Sequence, residues 1–249
     1  MICPLVCVNG VVPPELTFAR LVRNVAERPV RLHDLVGYRE VLPAGYGVGT
    51  ELTALDALVR PTTLAADDRA HVFGYSAGAS VALAYAAAYP ARIASLTLAE
   101  PPWVGAPDGT DFQAGMDTVM LDTPVELRWD ALHELLTRPG TDVPPQPPRP
   151  PPWAAGRVDR GQQVWRALRA WPIDPERLAS IKAPVYLPVA ADSHPWFTDV
   201  AHRLATRFAS ATVETYPGNH VRPPHVSDPD RFLAALRALW SAAGDAPVP

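Results

Sequence analysis

Long hydrophobic runs, basic stripes and closely spaced disulfide partners are all missing from this chain of 249 residues. No apolar stretch reaches the roughly 18 residues of a membrane span, because Arg, Asp or Pro interrupts each one first. The formal net charge is -4, and no cluster of Lys and Arg could neutralise phosphates. We therefore expect neither a membrane-embedded segment nor nucleic acid as a partner.

Cysteine is almost absent, since Cys3 and Cys7 are the only two. Four residues of extended chain would separate their Cα atoms by about 13 Å, whereas a disulfide requires less than about 7 Å. We predict two buried thiols instead. The N-terminus also lacks a basic region and an Ala-x-Ala cleavage site and enters a strand pattern almost at once, so we expect a cytoplasmic protein.

Short apolar runs alternate with amphipathic stretches, which is the pattern of parallel strands joined by crossover helices. The predicted strands are Leu5 to Val8, Val30 to Leu35, His71 to Gly74, Ile93 to Ala99, Pro184 to Ala190 and Thr212 to Tyr216. The predicted helices are Glu15 to Glu27, Glu51 to Val59, Ala77 to Tyr89, Val125 to Leu136, Gln162 to Trp171, Thr198 to Phe208 and Asp228 to Ala242. The fold class is α/β, with a mostly parallel sheet of six or more strands flanked by helices.

The stretch from Pro101 to Pro172 interrupts this alternation, because it contains helical pieces but no convincing strand. We predict a core formed by residues 1–100 and 173–249, into which residues 101–172 are inserted as a helical, proline-rich cap. Pro144 to Pro152 contains seven prolines, whose fixed φ angles favour polyproline II. We interpret this segment as a stiff connector, with a docking site for SH3-like domains as the alternative.

A G-x-S-x-G motif, Gly74-Tyr75-Ser76-Ala77-Gly78, lies between a predicted strand and a predicted helix. A tight strand-to-helix turn of this kind presents the serine hydroxyl at the carboxyl edge of the sheet. The helix N-terminus behind it offers N–H groups suited to an oxyanion, and the Ala77 N–H is one expected donor. A purely structural glycine-rich turn is the alternative.

From this motif onward the sequence resembles the α/β-hydrolase family, particularly its lidded esterase, lactonase and C–C hydrolase branch. The stretch VFGYSAGASVALAYAAAYPARIASLTLAEPP is similar to the nucleophile elbow of that family with its following helix and strand, and the resemblance covers essentially the whole chain. The family order of nucleophile, acid and histidine is met by Ser76, Asp192 and His220.

A serine hydroxyl requires an adjacent base at neutral pH, and His220 follows the last apolar strand in a Pro-Gly-Asn turn that resembles the histidine loop of the family. His225 is its nearest rival. Asp192 follows the preceding strand and resembles the acid loop, so it would orient His220. Glu100, which ends the strand ASLTLAE, is the alternative acid. The other histidines lack metal-ligand spacing, and no metal is expected.

The segment VCVNGVVPP stands where the family commonly has His-Gly-x-Pro. Asn9 replaces the histidine, and one extra residue precedes Pro13. The resemblance implies that the N–H of Val11, or of Gly10, is the second oxyanion donor. A plain β-turn at Asn9-Gly10 is the alternative.

The sequence predicts a cofactor-independent serine hydrolase that forms an acyl-enzyme on Ser76 with an ester, lactone or thioester of a hydrophobic small molecule. The predicted substrate pocket consists of Asn9, Tyr75, Trp103, Trp129 and Trp165, although simple core packing would also explain the tryptophans. The rival functions are C–C bond hydrolysis or a non-hydrolytic reaction of metabolism with the same triad, and a receptor-like homologue that only binds a ligand. The oligomeric state does not follow from the sequence.

Overall fold

The computed structural model describes residues 2–60, 68–105, 109–141 and 151–245. Its strands are β1 (Leu5–Val8), β2 (Val30–His33), β3 (Ala70–Tyr75), β4 (Ile93–Ala99), β5 (Val185–Ala190) and β6 (Ala211–Tyr216). They form one sheet in the order β2-β1-β3-β4-β5-β6, and every neighbouring pair is parallel. This confirms the predicted fold class. The proline-rich segment, except for its last two residues, lies outside the described ranges.

The helices are α1 (Pro14–Thr17), α2 (Ala19–Asn24), α3 (Val48–Val59), α4 (Ala77–Ala88), α5 (Asp111–Asp117), α6 (Val125–Leu136), α7 (Ala154–Arg169), α8 (Pro175–Ala179), α9 (Pro195–Ala205), α10 (Pro224–Ser227) and α11 (Pro229–Ala242). Short 3-10 turns occur at Val36–Tyr38 and Pro90–Arg92, and a π-helical turn occurs at Thr118–Asp122. Three of the helices, α5, α6 and α7, lie between β4 and β5 in residues 101–172, which we call the inserted segment. No helix in the described ranges is both long enough and apolar enough to cross a membrane.

Strand β1, the second strand of the sheet, is buried on both sides, and its side chains alternate between two apolar clusters. Leu5 and Cys7 pack with α2 and α11, whereas Val6 and Val8 pack with α3 and α4. Helices therefore cover both faces of the sheet, as a parallel sheet requires. Cys3 and Cys7 are both buried thiols rather than halves of a disulfide.

Helix α4 approaches the sheet closely because its residues are small, and ten of them are buried. A Cβ atom on Gly78 would lie 2.2 Å from the carbonyl oxygen of Val8. A Cβ atom on Gly74 would lie 2.5 Å from the Cα atom of Ala79. Since real Cβ atoms do not approach so closely, both glycines of the motif are required by packing. The helix ends just before Pro90, as the sequence predicts.

The first helix differs from its prediction. The sequence predicts one helix from Glu15 to Glu27, whereas the structure has α1 and α2 with a break at Phe18, where φ is -98° and ψ is 6°. The Phe18 side chain is fully buried, and its ring centroid lies 5.3 Å from that of Phe73. This tertiary contact outweighs the continuous helical pattern.

The inserted segment is more helical than its sequence suggests. Helix α7 begins at Ala154, whereas the sequence predicts a start at Gln162. The prediction misses the first turns because Gly156 and Gly161 have low helix propensity. Helix α5 does not emerge from the pattern at all, since it is only seven residues long.

A buried polar network joins residue 245 to the amino-terminal edge of the sheet. The Asp245 carboxylate accepts hydrogen bonds from the Cys3 N–H, from Nη1 of Arg28 and from Nε2 of His71, at 2.8, 3.0 and 2.8 Å. Cys3, His71 and Asp245 also offer three possible metal ligand atoms within 4.8 Å of one another, which the spacing in the sequence does not reveal. The Arg28 guanidinium already supplies a positive charge there, so we interpret the network as a structural ion pair.

His225 is buried among aromatic rings on the face of the sheet covered by α11. Its ring centroid lies 5.5 Å from that of Phe18, 5.3 Å from that of Phe73 and 5.8 Å from that of Phe232. This burial lowers the pKa of His225 to about 3, so the folded protein holds the ring neutral.

The buried ring makes the stability depend on pH. An unfolded His225 titrates near pH 6.5, so its contribution to the free energy of unfolding is fully present above that pH. The contribution is lost as the pH falls towards about 3, at about 1.4 kcal/mol per pH unit. His225→Phe should flatten the pH dependence of the free energy of unfolding by this slope, as measured by urea titrations between about pH 7 and pH 4. His202→Gln, a change at an exposed histidine, is the control, and equal slopes in both variants would contradict the expectation.

Candidate active site

Ser76 occupies the turn between β3 and α4 in a strained backbone conformation, with φ 55° and ψ -132°. Its N–H donates to the Ala99 carbonyl at 3.0 Å, and its own carbonyl accepts from the Ala79 N–H at 2.8 Å. A left-handed conformation of this kind costs on the order of 1–3 kcal/mol for a residue with a Cβ atom, and the surrounding bonds enforce it. The turn presents the half-buried Ser76 hydroxyl at the carboxyl edge of the sheet.

His220, rather than its rival His225, faces this hydroxyl. Nε2 of His220 lies 3.0 Å from Oγ of Ser76. The ring stacks on Phe197 of α9, with centroids 4.8 Å apart and planes at 18°. Oδ1 of Asn219 accepts hydrogen bonds from the two backbone N–H groups that follow His220, at 3.1 and 3.0 Å. Both the ring and its loop are therefore held in one orientation.

Glu100 lies on the other side of the histidine ring. It directly follows β4, also with a positive φ of 52°, and the parallel register of β3 and β4 brings it beside Ser76. Its Oε2 lies 2.8 Å from Nδ1 of His220, and its Oε1 accepts from the Ala190 N–H at 2.8 Å. The side chain is fully buried. Ser76, His220 and Glu100 thus form one continuous line of hydrogen bonds.

Asp192 does not reach the histidine, and the expected pairing of Asp192 with His220 is wrong. Asp192 is exposed, its N–H donates to the Gly218 carbonyl at 2.8 Å and its carbonyl accepts from the Arg138 N–H at 2.8 Å. The alternative acid, Glu100, occupies Nδ1 of His220 instead. Glu100 follows β4, the direct neighbour of β3, and its buried side chain points at the ring, whereas Asp192 follows β5, one strand farther away, in a loop whose backbone bonds leave its side chain exposed.

The two predicted oxyanion donors lie close to the serine. Ala77 is the first residue of α4, so its N–H has no acceptor within the helix. A Cβ atom on Gly10 would lie 3.0 Å from Cβ of Ser76, 3.2 Å from Oγ of Ser76 and 3.3 Å from the Ala77 nitrogen. Gly10 therefore lies against Ser76, and Val11 and Ala77 both line the adjoining cavity.

An apolar cavity of about 100 Å³ adjoins Ser76 and His220. Residues of the core and of the inserted segment line it together, among them Tyr38, Met116, Leu132, Leu136, Val164 and Leu168. None of the described lining residues is Lys, Arg, Asp or Glu. The cavity is therefore suited to an uncharged, apolar group.

Three of the five residues predicted to form the pocket line this cavity, namely Tyr75, Trp129 and Trp165. Burial and the negative charge of Glu100 raise the pKa of Tyr75 well above its ordinary value, so its hydroxyl stays protonated and donates to the His220 carbonyl. Nε1 of Trp165 donates to Oδ1 of Asp117 at 2.8 Å, which orients the indole within the inserted segment.

Asn9 and Trp103 do not line the cavity, and their assignment to the pocket is corrected. Asn9 is fully buried, and its Nδ2 donates to the Val12 carbonyl and, at 2.9 Å, to Oγ1 of Thr17. It therefore shapes the loop after β1. Trp103 is buried behind the cavity wall, where its Nε1 donates to the Trp171 carbonyl at 3.2 Å. The side chain packs instead of contacting a ligand.

His133 of α6 lines the cavity, and sequence reasoning overlooks it. Its Nδ1 donates to the Trp129 carbonyl at 2.8 Å. Burial lowers the pKa of His133, and the nearby His220 lowers it further. The ring is therefore neutral, and its Nε2 is an acceptor. Helical spacing is the signal that could have found it, because His133, Trp129 and Leu136 lie on one face of the correctly predicted α6.

A family model described as the Alpha/beta hydrolase family matches residues 5–235. A search of curated proteins found no match. Many solved structures resemble the chain, and we describe three of them.

An alpha/beta hydrolase enzyme from a Medee basin deep-sea metagenome library has a TM-score of 0.71 at 17% identity, with 96% of this chain and 90% of that chain covered. Naproxen esterase from Bacillus subtilis has a TM-score of 0.61 at 16% identity, with 96% and 84% covered. A 2-hydroxy-6-oxo-6-phenylhexa-2,4-dienoate hydrolase from Rhodococcus sp. strain RHA1 has a TM-score of 0.67 at 17% identity, with 96% and 91% covered. At these identities the likeness concerns the fold alone.

The hydrogen-bonded line predicts an unusually reactive serine. A fluorophosphonate probe should label Ser76, and Ser76→Ala should abolish the adduct located by mass spectrometry. Glu100→Gln should slow labelling by up to about 10⁴-fold, the loss seen when a triad acid no longer holds the histidine tautomer.

Asp192→Asn makes the same chemical change at the exposed carboxylate and is the matched control. It should leave the labelling rate near that of the wild type. If Asp192→Asn were labelled slowly and Glu100→Gln were labelled at the wild-type rate, Asp192 would be the triad acid.

Proposed function

Because the chain belongs to the alpha/beta hydrolase family, we propose that it is a serine hydrolase of uncharged, hydrophobic esters, lactones or thioesters. One observation carries the proposal, the line from Ser76 Oγ through His220 to Glu100 beside an apolar cavity. Each of its two hydrogen bonds has the length that proton transfer and tautomer control require.

In the proposed reaction Oγ of Ser76 attacks the acyl carbonyl carbon while Nε2 of His220 takes its proton. Glu100 holds the proton on Nδ1 and stabilises the imidazolium that forms. The carbonyl oxygen becomes an oxyanion, which accepts hydrogen bonds from the N–H groups of Ala77 and Val11. His220 then gives its proton to the leaving oxygen or sulfur, and an acyl-enzyme on Ser76 remains.

Water completes the cycle by the same path in reverse. His220 takes a proton from the water as the water attacks the acyl carbonyl, and a second oxyanion forms between the same two N–H groups. Collapse of this intermediate returns the proton from His220 to Ser76 and releases the carboxylic acid product.

The cavity supports a limited size for the group bound beside the serine. Its volume is about 100 Å³, whereas an engineered protein cavity of about 150 Å³ holds one benzene ring. An acyl chain of a few carbons therefore fills it. The absence of Lys, Arg, Asp and Glu among its described lining residues supports a neutral substrate group.

The inserted segment supplies much of the cavity wall, which supports a role as a cap that selects substrates. Trp129 and His133 of α6 and Trp165 of α7 all line the cavity. Two of the fold relatives are an esterase and a C–C hydrolase by name. A β-diketone therefore belongs in the substrate panel. If the protein cleaved the diketone but no ester, the proposed activity would be C–C bond hydrolysis instead of ester hydrolysis.

Removing one ring from the proposed cap should change the preference for acyl size. The test uses p-nitrophenyl esters graded from acetate to octanoate. With wild-type protein, kcat/KM should rise with acyl length until the cavity is filled and then fall. Because the partly buried Trp129 ring lines the cavity and a ring covered by substrate contributes roughly 2–3 kcal/mol, Trp129→Ala should lower kcat/KM for the best substrate by about 30-fold or more while acetate turnover stays nearly level.

Trp171→Ala is the matched control, because Trp171 belongs to the same segment but does not line the cavity. Circular dichroism and thermal melts establish that each variant is folded. A wild-type protein without any preference along the series, or an equal loss in Trp171→Ala, would reject the cap as the specificity element.

A further inference from the structure

Arg157 of α7 hydrogen-bonds to the loop after β1. Among the described side chains of the inserted segment, no other arginine does so. Its Nε donates to the Val11 carbonyl at 2.6 Å, and its Nη2 lies 3.4 Å from the Gly10 carbonyl oxygen. The residue is only 8% exposed. An arginine of the proposed cap thus contacts the carbonyls of Gly10 and Val11, which precede and follow the Val11 N–H in the chain.

The guanidinium is held in place from two further directions. Asp34 binds it through both carboxylate oxygens, at 2.8 Å to Nη1 and 2.5 Å to Nη2. The Tyr38 ring lies 4.4 Å from its central carbon. The turn that carries Tyr38 is anchored in turn by buried Glu51, which accepts from two of its N–H groups at 2.9 Å. A guanidinium held by so many contacts is suited to fix the position of the groups to which it donates.

Each carbonyl that Arg157 contacts shares a peptide group with the N–H of the next residue. The Gly10 carbonyl shares its planar peptide with the Val11 N–H, and the Val11 carbonyl shares its peptide with the Val12 N–H. In a trans peptide the N–H points away from the carbonyl, so a carbonyl held by Arg157 turns its N–H away from the guanidinium. A positively charged donor on the carbonyl also polarises the peptide and strengthens that N–H as a donor.

We propose that Arg157 is a positioning residue that orients and polarises the Val11 N–H for the oxyanion, so that docking of the inserted segment completes the site. This rests on the proposed serine hydrolase function. The close approach of Gly10 to Ser76 supports it, because a Cβ atom on Gly10 would lie 3.2 Å from Oγ of Ser76, and a small displacement of Gly10 is therefore felt directly at the serine.

The test compares Arg157→Ala and Arg157→Lys with Arg138→Ala. Arg138 is the matched control, because it also belongs to the inserted segment and its Nε donates to a core carbonyl, that of Ala191, at 3.0 Å. Since loss of an oxyanion donor costs about 10²–10³ in kcat, loss of its support should lower kcat by about 10- to 100-fold. KM should stay within about twofold, because the planar ground-state carbonyl gains little from the donor.

Two readouts separate positioning from simple anchoring of the segment. Ser76 adds to the carbonyl carbon of a trifluoromethyl ketone, and the adduct carries a negatively charged oxygen. The Arg157 variants should bind this ketone more weakly, by the same factor by which their kcat/KM falls. Free guanidinium chloride at concentrations below those that unfold the protein should restore part of the lost kcat in Arg157→Ala and none in Arg157→Lys.

The proposal is overturned if Arg157→Ala changes only KM or the melting temperature, or if Arg138→Ala loses as much kcat. If Arg157→Ala does not fold, Arg157→Lys and Asp34→Asn carry the same comparison, and a normal kcat in both overturns it too. A wild-type protein that neither hydrolyses esters nor reacts with fluorophosphonate would instead reject the proposed function itself.

Discussion

The close approach of α4 to the sheet is the constraint on which the rest of the structure depends. Gly74 and Gly78 allow helix and strands to touch backbone to backbone, and the turn between them has no room to relax. Ser76 is therefore held at a positive φ in which its hydroxyl faces out from the sheet edge. With Ser76 fixed, the β3–β4 register sets Glu100 beside it, and His220 lies between the two.

Much of this arrangement can be predicted from the sequence, because it depends on local patterns. Alternating apolar runs predict the six strands nearly residue for residue, and the flanking strand and helix give weight to the motif around Ser76. His220 follows from its position just after the last strand. These inferences succeed because each strand end of a parallel sheet lies at one edge, whatever the details of the loops.

The remaining parts of the site depend on contacts between distant segments, which no local pattern reveals. Glu100 and Asp192 both follow strands that end at the same edge, and only the three-dimensional course of the loops shows that Glu100 meets His220. Asn9 looks like a pocket residue until its amide is seen to hold the loop that contains it. The bond between Arg157 and the Val11 carbonyl joins residues 146 positions apart, and a run of prolines precedes that arginine in the sequence.

The uncharged walls of the cavity bear on how a catalytic cycle would end. In the proposed cycle a neutral acyl group becomes a carboxylate, and the described lining residues offer it the N–H groups beside Ser76 but no Lys or Arg. The same walls would therefore hold the ionised acid less tightly than the neutral substrate. Expulsion of the product would follow from the change in charge itself, and the acid would be a weak competitor for the next substrate molecule.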